Sequence, residues 1–352
     1  MLAELHFPSH NILPEQLDSY LSSGWFRMGQ TIFTTNFLKF NGLFYSTIWL
    51  RIDLDTFKPT KTQEKIRKLN TKFRVEIKPT TPDISPEYLI LFNKYKNHVS
   101  FDTAPSLSHL LYDNGFSNVF DSWAVEVYDD KQLIACGILD MGKETSEGIV
   151  CFYDPDYKKY SLGKYLMLLK MEFCQRKDMK HFYPGYFAPN YPLFDYKLDL
   201  SDTSLEYLAL ATNTWTPIQC FQSTETPLAV MNRKLQELSK LLERSWFEHQ
   251  LLHYEYFDAE IVPSFTGLNL FDFPVFIFCF EVDKSISNPI IVFDVISQQY
   301  HLIICNATYK LERITPKDNI YNSHLLQMTQ HLFATDSPEA MALVVIKSLR
   351  QS

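Results

Sequence analysis

The sequence predicts an α+β protein, in which a mixed sheet with flanking helices precedes an appended C-terminal α+β region. The first observation is a run of predicted elements over residues 123–187 in the order strand, strand, strand, helix, strand, which is typical of mixed sheets. The second is the composition, because 46% hydrophobic residues provide enough apolar surface for a packed core. The third is the length of 352 residues, which corresponds to two or three domains.

The N-terminal part is predicted to contain strands and to end in a basic segment. Strands are expected at Thr31–Phe37 and Leu43–Ile52, because β-forming residues flank the turn signal Asn41-Gly42. Residues 58–78 then contain eight Lys or Arg and two Glu, a net charge of +6 in a chain whose total is −8. A segment of this kind creates a local positive field that attracts phosphates, although a solvated helix face has the same composition.

The middle of the chain gives the clearest pattern. Ser85 is a suitable N-cap for a helix, and apolar residues then alternate as expected of strands or recur with helical spacing. The predicted elements are helix Pro86–Asn97, strands Ala124–Tyr128, Leu133–Asp140, Gly148–Tyr153 and His181–Phe187, and helix Ser161–Lys177.

The C-terminal third gives weaker signals. They predict helices Pro227–Glu248 and Pro338–Leu349, and strands Tyr254–Ile261, Val275–Val282, Pro289–Ile296 and Tyr300–Ile304. We therefore divide the chain into a β-rich subdomain with the basic segment (residues 1–80), an α+β domain (residues 81–221) and a C-terminal region whose role the sequence leaves open (residues 222–352).

Composition also excludes several classes of function. The chain has 10 glycines, which makes a glycine-rich phosphate loop unexpected, and none of its six cysteines forms a C-x-x-C pair. The first residues lack the pattern of a signal peptide, and the most apolar stretch is far shorter than a bilayer span. We therefore expect a cytoplasmic protein that does not span a membrane. Its oligomeric state cannot be predicted.

Several motifs, in order along residues 24–197, resemble the arginyl-tRNA–protein transferase family, also called aminoacyl-tRNA–protein transferases. They are Gly24-Trp25-Phe26-Arg27-Met28-Gly29, Phe57-Lys58-Pro59-Thr60-Lys61-Thr62-Gln63-Glu64-Lys65, Leu91-Phe92-Asn93-Lys94-Tyr95 with His98, Leu139-Asp140, Phe152-Tyr153-Asp154-Pro155, Ser161-Leu162-Gly163, Tyr183-Pro184-Gly185-Tyr186 and Tyr196-Lys197. The order of predicted elements also resembles the acetyltransferase-like (GNAT) superfold. The resemblance covers about half of the chain and none of its C-terminal third.

The resemblance implies an enzyme that transfers an amino acid from an aminoacyl-tRNA to the N-terminal amine of an acceptor protein. Arginine is the expected donor amino acid, and leucine is the alternative. The ester is already activated, so the site needs proximity, a proton acceptor and donors to the oxyanion rather than a covalent nucleophile or a cofactor. The family's cysteine cluster is absent, since the corresponding segment reads Thr34-Thr35-Asn36-Phe37-Leu38-Lys39-Phe40-Asn41-Gly42, and we expect no metal site.

The resemblance also suggests catalytic residues. Asp140 is expected to face the donor's cationic side chain, or else to cap a turn at a strand end. The expected roles of Tyr183, Tyr186 and Tyr196, with Lys197, are to hold the terminal adenosine by stacking or to donate to the oxyanion. Of these, Tyr186 and Lys197 are the expected catalytic residues, and Tyr183 and Tyr196 are expected to bind the substrate. The alternative for each tyrosine is an ordinary place in the aromatic core.

The remaining candidates are substrate-binding residues. The helix start at Ser161, Gly163 and Lys164 is expected to bind a tRNA phosphate, unless it is only a Ser-capped helix. Arg27 is a candidate partner for the acceptor's acidic residue, and His98 for substrate contact, although a lone histidine is more often structural. The tRNA backbone is expected to lie on Lys58, Lys61 and Lys65.

Two other readings remain open. One is an acyltransferase of the same superfold that uses acyl-CoA, although the usual glycine loop is missing. The other is a non-catalytic protein- or RNA-binding derivative, in which the cleft near Asp140 is filled. Tight binding of acetyl-CoA would support the first, and the absence of turnover would support the second. A donor is expected to enter between the strand that ends at Tyr153 and the strand that ends at Phe187.

Overall fold

The computed structural model describes residues 3–101, 103–279, 287–310 and 319–349. The N-terminal part consists of β1 (Ala3–His6), α1 (Pro14–Ser22), β2 (Phe26–Met28), β3 (Thr31–Thr35), β4 (Phe37–Phe40) and β5 (Leu43–Ser46). The first three strands form a small antiparallel sheet in the order β1-β3-β2, and β4 and β5 form a separate hairpin. Asn41 and Gly42 both have positive φ, as the predicted two-residue turn requires.

The largest sheet has eight strands. Its part of the chain contains β6 (Ile48–Asp53), α2 (Lys61–Asn70), β7 (Arg74–Pro79), α3 (Pro86–Lys96), α4 (Leu107–Tyr112), β8 (Ser122–Asp129), β9 (Gln132–Met141), β10 (Thr145–Tyr153), α5 (Leu162–Arg176), β11 (His181–Phe187), β12 (Leu205–Ala209) and β13 (Thr214–Pro217). The strand order is β13-β12-β6-β11-β10-β9-β8-β7, and only β10 and β11 run parallel. The predicted mixed sheet with flanking helices is confirmed, and so is the order strand, strand, strand, helix, strand from β8 to β11.

Two strands of this sheet come from the range that the sequence analysis set apart as an N-terminal subdomain. β6 lies between β12 and β11, and β7 forms the far edge beside β8. The basic segment, residues 58–78, therefore forms α2 and most of β7 within the same layered structure. The proposed domain limits remain a proposal.

Both faces of the eight-stranded sheet are covered. Helices cover one face, and helices together with the small N-terminal sheet cover the other. α2 and α5 pack on one face through a core that includes Val125, Val127 and Leu139. α3 and α4 pack on the other face, against Ala124 and Ile138 of alternate positions in the same strands. The small sheet and α1 cover the rest of that face, through a third core that includes Trp49 and Tyr183. This alternation follows from the period of two in a strand.

The C-terminal region contains α6 (Pro227–Arg244), β14 (Gln250–Tyr254), β15 (Val275–Phe278), β16 (Ser287–Asp294), β17 (Gln299–Lys310), β18 (Ile320–Tyr321), β19 (His324–Thr335) and α7 (Pro338–Leu349). The strands form a sheet in the order β18-β14-β15-β16-β17-β19. α6 and α7 pack against each other and against this sheet.

The C-terminal predictions are only partly confirmed. α7 has the predicted limits, but α6 ends before Glu248, and the predicted strand Tyr254–Ile261 is wrong because β14 ends at Tyr254. The end of the predicted strand Val275–Val282 lies outside the described residues. The long strand β19 was not predicted, since its polar residues conceal the alternation. No helix in the described ranges has the length and hydropathy of a bilayer span.

Candidate functional site

The parallel strands β10 and β11 separate after a short pairing. They are paired only from Thr145 and His181 to Glu147 and Tyr183. Beyond this point β10 continues along β9, and β11 continues along β6 after a register shift. The space between Val150–Tyr153 of β10 and residues 185–187 of β11 is called the fork below. The separation of these two strands is the feature that the sequence analysis required of a donor site.

Lys197 lies at the β11 side of the fork. It belongs to the 3₁₀ segment Pro192–Leu200, and its Nζ donates to the carbonyl oxygen of Tyr186 at 2.6 Å. Nζ is also 5.2 Å from the ring centroid of Tyr186 and 5.1 Å from that of Phe194. Because the side chain is buried, the pKa of Lys197 is lowered from 10.5 to about 7. A large fraction of this amine is therefore neutral at pH 7.

The local backbone leaves room for this lysine. Gly185 has φ +86°, and a Cβ at this position would be 3.2 Å from Nζ of Lys197. Both the conformation and the close approach therefore favour glycine. Burial raises the pKa of Tyr186 to about 12, so its hydroxyl keeps its proton and can donate a hydrogen bond. The structure thus brings together two of the three predicted catalytic residues, Tyr186 and Lys197.

Asp140 lies near the end of β9, but its carboxylate faces the protein core rather than a substrate. It is fully buried, and its two carboxylate oxygens accept hydrogen bonds from Nη1 of Arg27 at 3.0 and 2.9 Å. Ser122 donates a further hydrogen bond to Asp140. Arg27 therefore occupies the position that we had assigned to the donor's cationic side chain. This corrects both expectations, since neither Asp140 nor Arg27 is accessible to a substrate. The filled space beside Asp140 is also the feature that the non-catalytic reading predicts.

Arg27 is held on several sides. Its Nε donates to the carbonyl of Gly29 at 2.7 Å, Nη2 donates to the carbonyl of Leu111, and the ring centroid of Phe120 is 4.4 Å from its Cζ. These contacts join the small N-terminal sheet to α4 and to the eight-stranded sheet. The Gly-Trp-Phe-Arg motif of the sequence thus has a structural explanation.

Glu147 is a buried carboxyl group that the sequence analysis missed. It is the cross-strand neighbour of both Asp140 and Tyr183, so the three side chains share one face of the sheet at the apex of the fork. Its Oε2 accepts a hydrogen bond from the backbone N–H of Arg27 at 3.3 Å, and within the described residues its Oε1 has no partner. Burial, and then the negative charge of Asp140, raise the pKa of Glu147 to about 8. The carboxyl group of Glu147 is therefore mostly protonated at neutral pH. The four side chains that meet here are called the ionic network below: Arg27, Ser122, Asp140 and Glu147.

A groove of about 530 Å³ lies between the first turn of α2, the first turn of α5 and the 3₁₀ segment. It is lined by three of the predicted substrate-binding residues, Lys61, Lys164 and Tyr196. Lys164 forms an exposed ion pair with Asp199 at 3.1 Å. The groove is lined by two lysines, by the carboxylates of Asp199 and Asp202, and by the exposed ring of Tyr196. Cations beside an aromatic ring are groups that bind a single-stranded nucleic acid.

The Phe-x-Pro-Thr-x-x-Gln motif builds one wall of this groove. Thr60 and Gln63 form a capping box at the start of α2, with bonds of 3.2 and 2.7 Å between side chain and backbone. The amide of Gln63 also donates to the carbonyl of Leu200 at 2.8 Å. The motif thus ties α2 to the segment that carries Lys197.

The remaining candidates do not line the groove. Tyr183 is 1% exposed in the core beside Trp49, so the expectation that it stacks on an adenosine is corrected. Ser161 does not cap α5 with its side chain and has φ +52°. Gly163 lets α5 approach Tyr153, since a Cβ there would be 3.2 Å from that ring. The other three side chains are exposed on the surface: Lys58, Lys65 and His98.

The middle of the chain is similar to known proteins. Residues 87–206 match the family described as arginine-tRNA-protein transferase, C terminus. An aspartate/glutamate leucyltransferase of Campylobacter jejuni is 26% identical over 163 residues, which are 44% of this chain and 66% of that protein. The enzyme of the same name from Leptospira interrogans is 26% identical over 223 residues, 62% of this chain and 84% of that protein.

These matches confirm the resemblance to aminoacyl-tRNA–protein transferases, an aminoacyltransferase class, for the region that contains the fork. They do not confirm arginine as the amino acid. Solved structures that resemble the chain include FemX, with a TM-score of 0.35 and 10% identity over 51% of this chain and 63% of FemX. A tandem GNAT protein of clavulanic acid biosynthesis has a TM-score of 0.32 and 10% identity over 56% and 58% of the two chains. At these TM-scores neither structure bears on the function.

Proposed function

We propose that this protein transfers an amino acid from an aminoacyl-tRNA to the N-terminal amine of an acceptor protein. The observation that carries the proposal is the fork with a buried, largely neutral lysine at its side, in the region that resembles the transferase family. A cytoplasmic location, where charged tRNA is available, is part of the proposal.

Lys197 is the proposed proton acceptor. The α-amine of the acceptor attacks the ester carbonyl carbon, a C–N bond forms, and the proton lost from the nitrogen passes to Nζ. The C–O bond to the ribose then breaks, and the ribose oxygen takes a proton as it leaves. A lysine whose pKa is about 7 suits both transfers, since it accepts and returns a proton at neutral pH. The hydroxyl of Tyr186 is the proposed donor to the oxyanion.

The groove is the proposed site for the 3′ end of the tRNA. Lys61 offers positive charge to phosphates, Lys164 would exchange its partner Asp199 for a phosphate, and Tyr196, with 41% of its surface exposed, offers a face for base stacking. The groove and Lys197 are adjacent through the 3₁₀ segment, because Tyr196 precedes Lys197 directly. Binding should therefore weaken as salt concentration rises.

We further propose leucine, rather than arginine, as the donor amino acid. The carboxylate expected to hold an arginine side chain is occupied by Arg27 and is fully buried. A neutral side chain needs no such partner, and the two curated relatives above are named leucyltransferases. Their names also suggest acceptors that begin with aspartate or glutamate.

The test uses the purified full chain with tRNA charged with labelled leucine or arginine. Peptides that begin with Asp, Glu or Ala serve as acceptors. We expect leucine transfer to the acidic peptides, little transfer to the Ala peptide, and loss of transfer in Lys197→Met. Absence of transfer from either charged tRNA contradicts the proposed function, and acetylation of the peptides by acetyl-CoA would assign the fork to acyl-CoA chemistry instead.

A further inference from the structure

The two faces of the β4–β5 hairpin contact two different parts of this chain. Residues Phe37, Lys39, Phe44 and Ser46 occupy one face, because Phe37 pairs with Ser46 and Lys39 pairs with Phe44. Leu38, Phe40 and Tyr45 occupy the opposite face by the same register. A hairpin of this size is only marginally stable alone, so its position depends on what covers each face.

The first face is embedded in the C-terminal region. Phe37 is 1% exposed and belongs to the hydrophobic core of that region. The ring of Phe44 lies 5.0 Å from that of His253 and 5.8 Å from that of Phe257.

Two polar contacts fix the orientation of the same face. Lys39 forms an ion pair with Glu255, which directly follows β14. At the other end, the Ser46 hydroxyl accepts a hydrogen bond at 2.9 Å from the backbone N–H of Leu228 in the first turn of α6. Ser46 therefore takes the place of a side-chain cap, since Thr226 makes none for this helix.

The second face packs on the segment that leads to Lys197. The ring of Phe40 is stacked on Tyr191, with centroids 4.5 Å apart and planes 14° apart, and it lies 6.2 Å from Phe194. Tyr45 contacts the same Tyr191 at 5.4 Å. Phe194 in turn is 5.2 Å from the ring of Tyr186 and 5.1 Å from Nζ of Lys197. A continuous series of contacts thus joins the C-terminal region to the lysine.

We propose that the C-terminal region positions Lys197: it holds the β4–β5 hairpin, and the hairpin holds the Tyr191–Phe194 aromatic rings over the amine and keeps water from it. The region thereby acts as an internal support for the fork. Phe37, Phe40 and Phe44 are positioning residues in this arrangement, because they act on the lysine only through Tyr191 and Phe194.

The pKa of the Lys197 amine reports on its environment and can be measured without any transfer activity. The lysine's dry surroundings, rather than a charged neighbour, set its pKa near 7, so added water should raise it toward 10.5. The titratable group that the described contacts place beside the amine is Tyr186. The carboxylates of Asp195 and Asp199 on its own segment are exposed. This inference rests on the proposed function, because it concerns the lysine proposed as proton acceptor. The pKa of that lysine can nevertheless be measured whether or not the protein transfers an amino acid.

The experiment measures the rate at which trace acetic anhydride acetylates Lys197 as a function of pH, by mass spectrometry of the peptide that contains it. We expect an apparent pKa near 7 in the wild type and an increase of about one unit or more in Phe40→Ala and Phe44→Ala. Leu107→Ala is the control, because it truncates a buried side chain on α4, in a core that contains neither the C-terminal region nor the aromatic rings that lead to Lys197.

The outcomes separate the two proposals. A raised pKa in both phenylalanine variants, with an unchanged value in Leu107→Ala, supports the positioning role whether or not the protein transfers leucine. An unchanged pKa in the phenylalanine variants overturns it, and so does an equal shift in the control. Phe40→Leu and Phe44→Leu keep the test available if an alanine variant does not fold, and each should shift the pKa in the same direction by less.

Discussion

The ionic network and the Lys197 site bury charged groups in two different ways on the two sides of the fork's apex. In the network, Arg27 and Asp140 form a hydrogen-bonded ion pair and Glu147 keeps its proton. At the other site, the described contacts of the Lys197 amine are a carbonyl oxygen and two aromatic rings, so its ammonium form is disfavoured. The network keeps fixed charges, and the lysine loses its charge near neutral pH.

This difference separates structural from chemical roles. A charge that is fully paired has no capacity left for a substrate, and removal of its partner leaves an isolated charge in the core. An amine that is neutral at pH 7 can take up and return a proton with little driving force in either direction. The network therefore joins the small N-terminal sheet to the large one, while Lys197 is available for the reaction.

The largest expected effect comes from breaking the network. Asp140→Ala leaves the guanidinium of Arg27 buried without its carboxylate, and we expect the free energy of unfolding to fall by about 3–5 kcal/mol. Urea unfolding measures this change. Asp199→Ala is the matched control, since this carboxylate forms an exposed pair with Lys164 and should contribute less than about 1 kcal/mol. Equal losses in the two variants would show that the network is not the stronger support.

The next effect concerns the lysine. Lys197→Met keeps the size and the apolar contacts of the side chain but removes the proton acceptor, so we expect kcat for transfer to fall by about 100-fold or more. Its free energy of unfolding should change by less than about 1.5 kcal/mol, because only one hydrogen bond is lost. Lys164→Met, in the groove, should raise KM for the tRNA instead. A Lys197→Met enzyme with unchanged kcat would contradict the assigned role.

Glu147→Gln should change how stability depends on pH. The pKa of Glu147 is about 8 in the folded protein and near 4.5 when unfolded, so the folded state binds the extra proton between these values. Its contribution to stability is complete below pH 4.5 and is lost as pH rises toward 8. The glutamine variant should be more stable than the wild type at pH 8, by about 4 kcal/mol, and similar at pH 4.5. Thermal unfolding at both pH values measures this difference.

Glu144→Gln serves as the control for this prediction, since Glu144 is exposed and its pKa is lowered by Lys180. A wild-type protein whose stability does not fall between pH 5 and pH 8 relative to Glu147→Gln would show that Glu147 is charged in the folded state.

The smallest effect is expected in the groove. Lys61→Ala removes one cation that faces the proposed tRNA site, and we expect a weaker affinity and a decrease of about 1 in the slope of log K against log salt. Binding of uncharged tRNA at several salt concentrations measures the slope. Lys131→Ala, at the β8–β9 turn outside the groove, should leave it unchanged. An identical slope in all three proteins would remove the groove from tRNA binding.

Local patterns were enough to predict the middle of the fold. The strands from β8 to β11 and helix α5 were found because their apolar residues alternate or recur at helical spacing, and the turn at Asn41-Gly42 has the expected backbone. β14 and β19 were misplaced or missed, because packing against distant strands, rather than local preference, sets their limits.

The site was predicted less well, since a sequence does not show which charges meet. Lys197 and Tyr186 were named from the motif, and the structure brings them together. Asp140 and Arg27 were both named, but they are 113 residues apart, and their pairing depends on how two sheets pack. Glu147 falls just before the predicted strand Gly148–Tyr153, so the sequence analysis did not place it in a strand. The signal that points to it is the hairpin register, because a turn at residues 142–144 places it opposite Asp140.

The central claim is that the neutral amine of Lys197 accepts a proton during transfer, and the pH dependence of kcat tests it most directly. With an acidic acceptor peptide, the wild type should show a rise through about pH 7 from the lysine, in addition to the rise near pH 8 from the acceptor's own amine. In Lys197→Met the lower rise should disappear and the upper one remain. An identical pH profile in the two proteins would contradict the account.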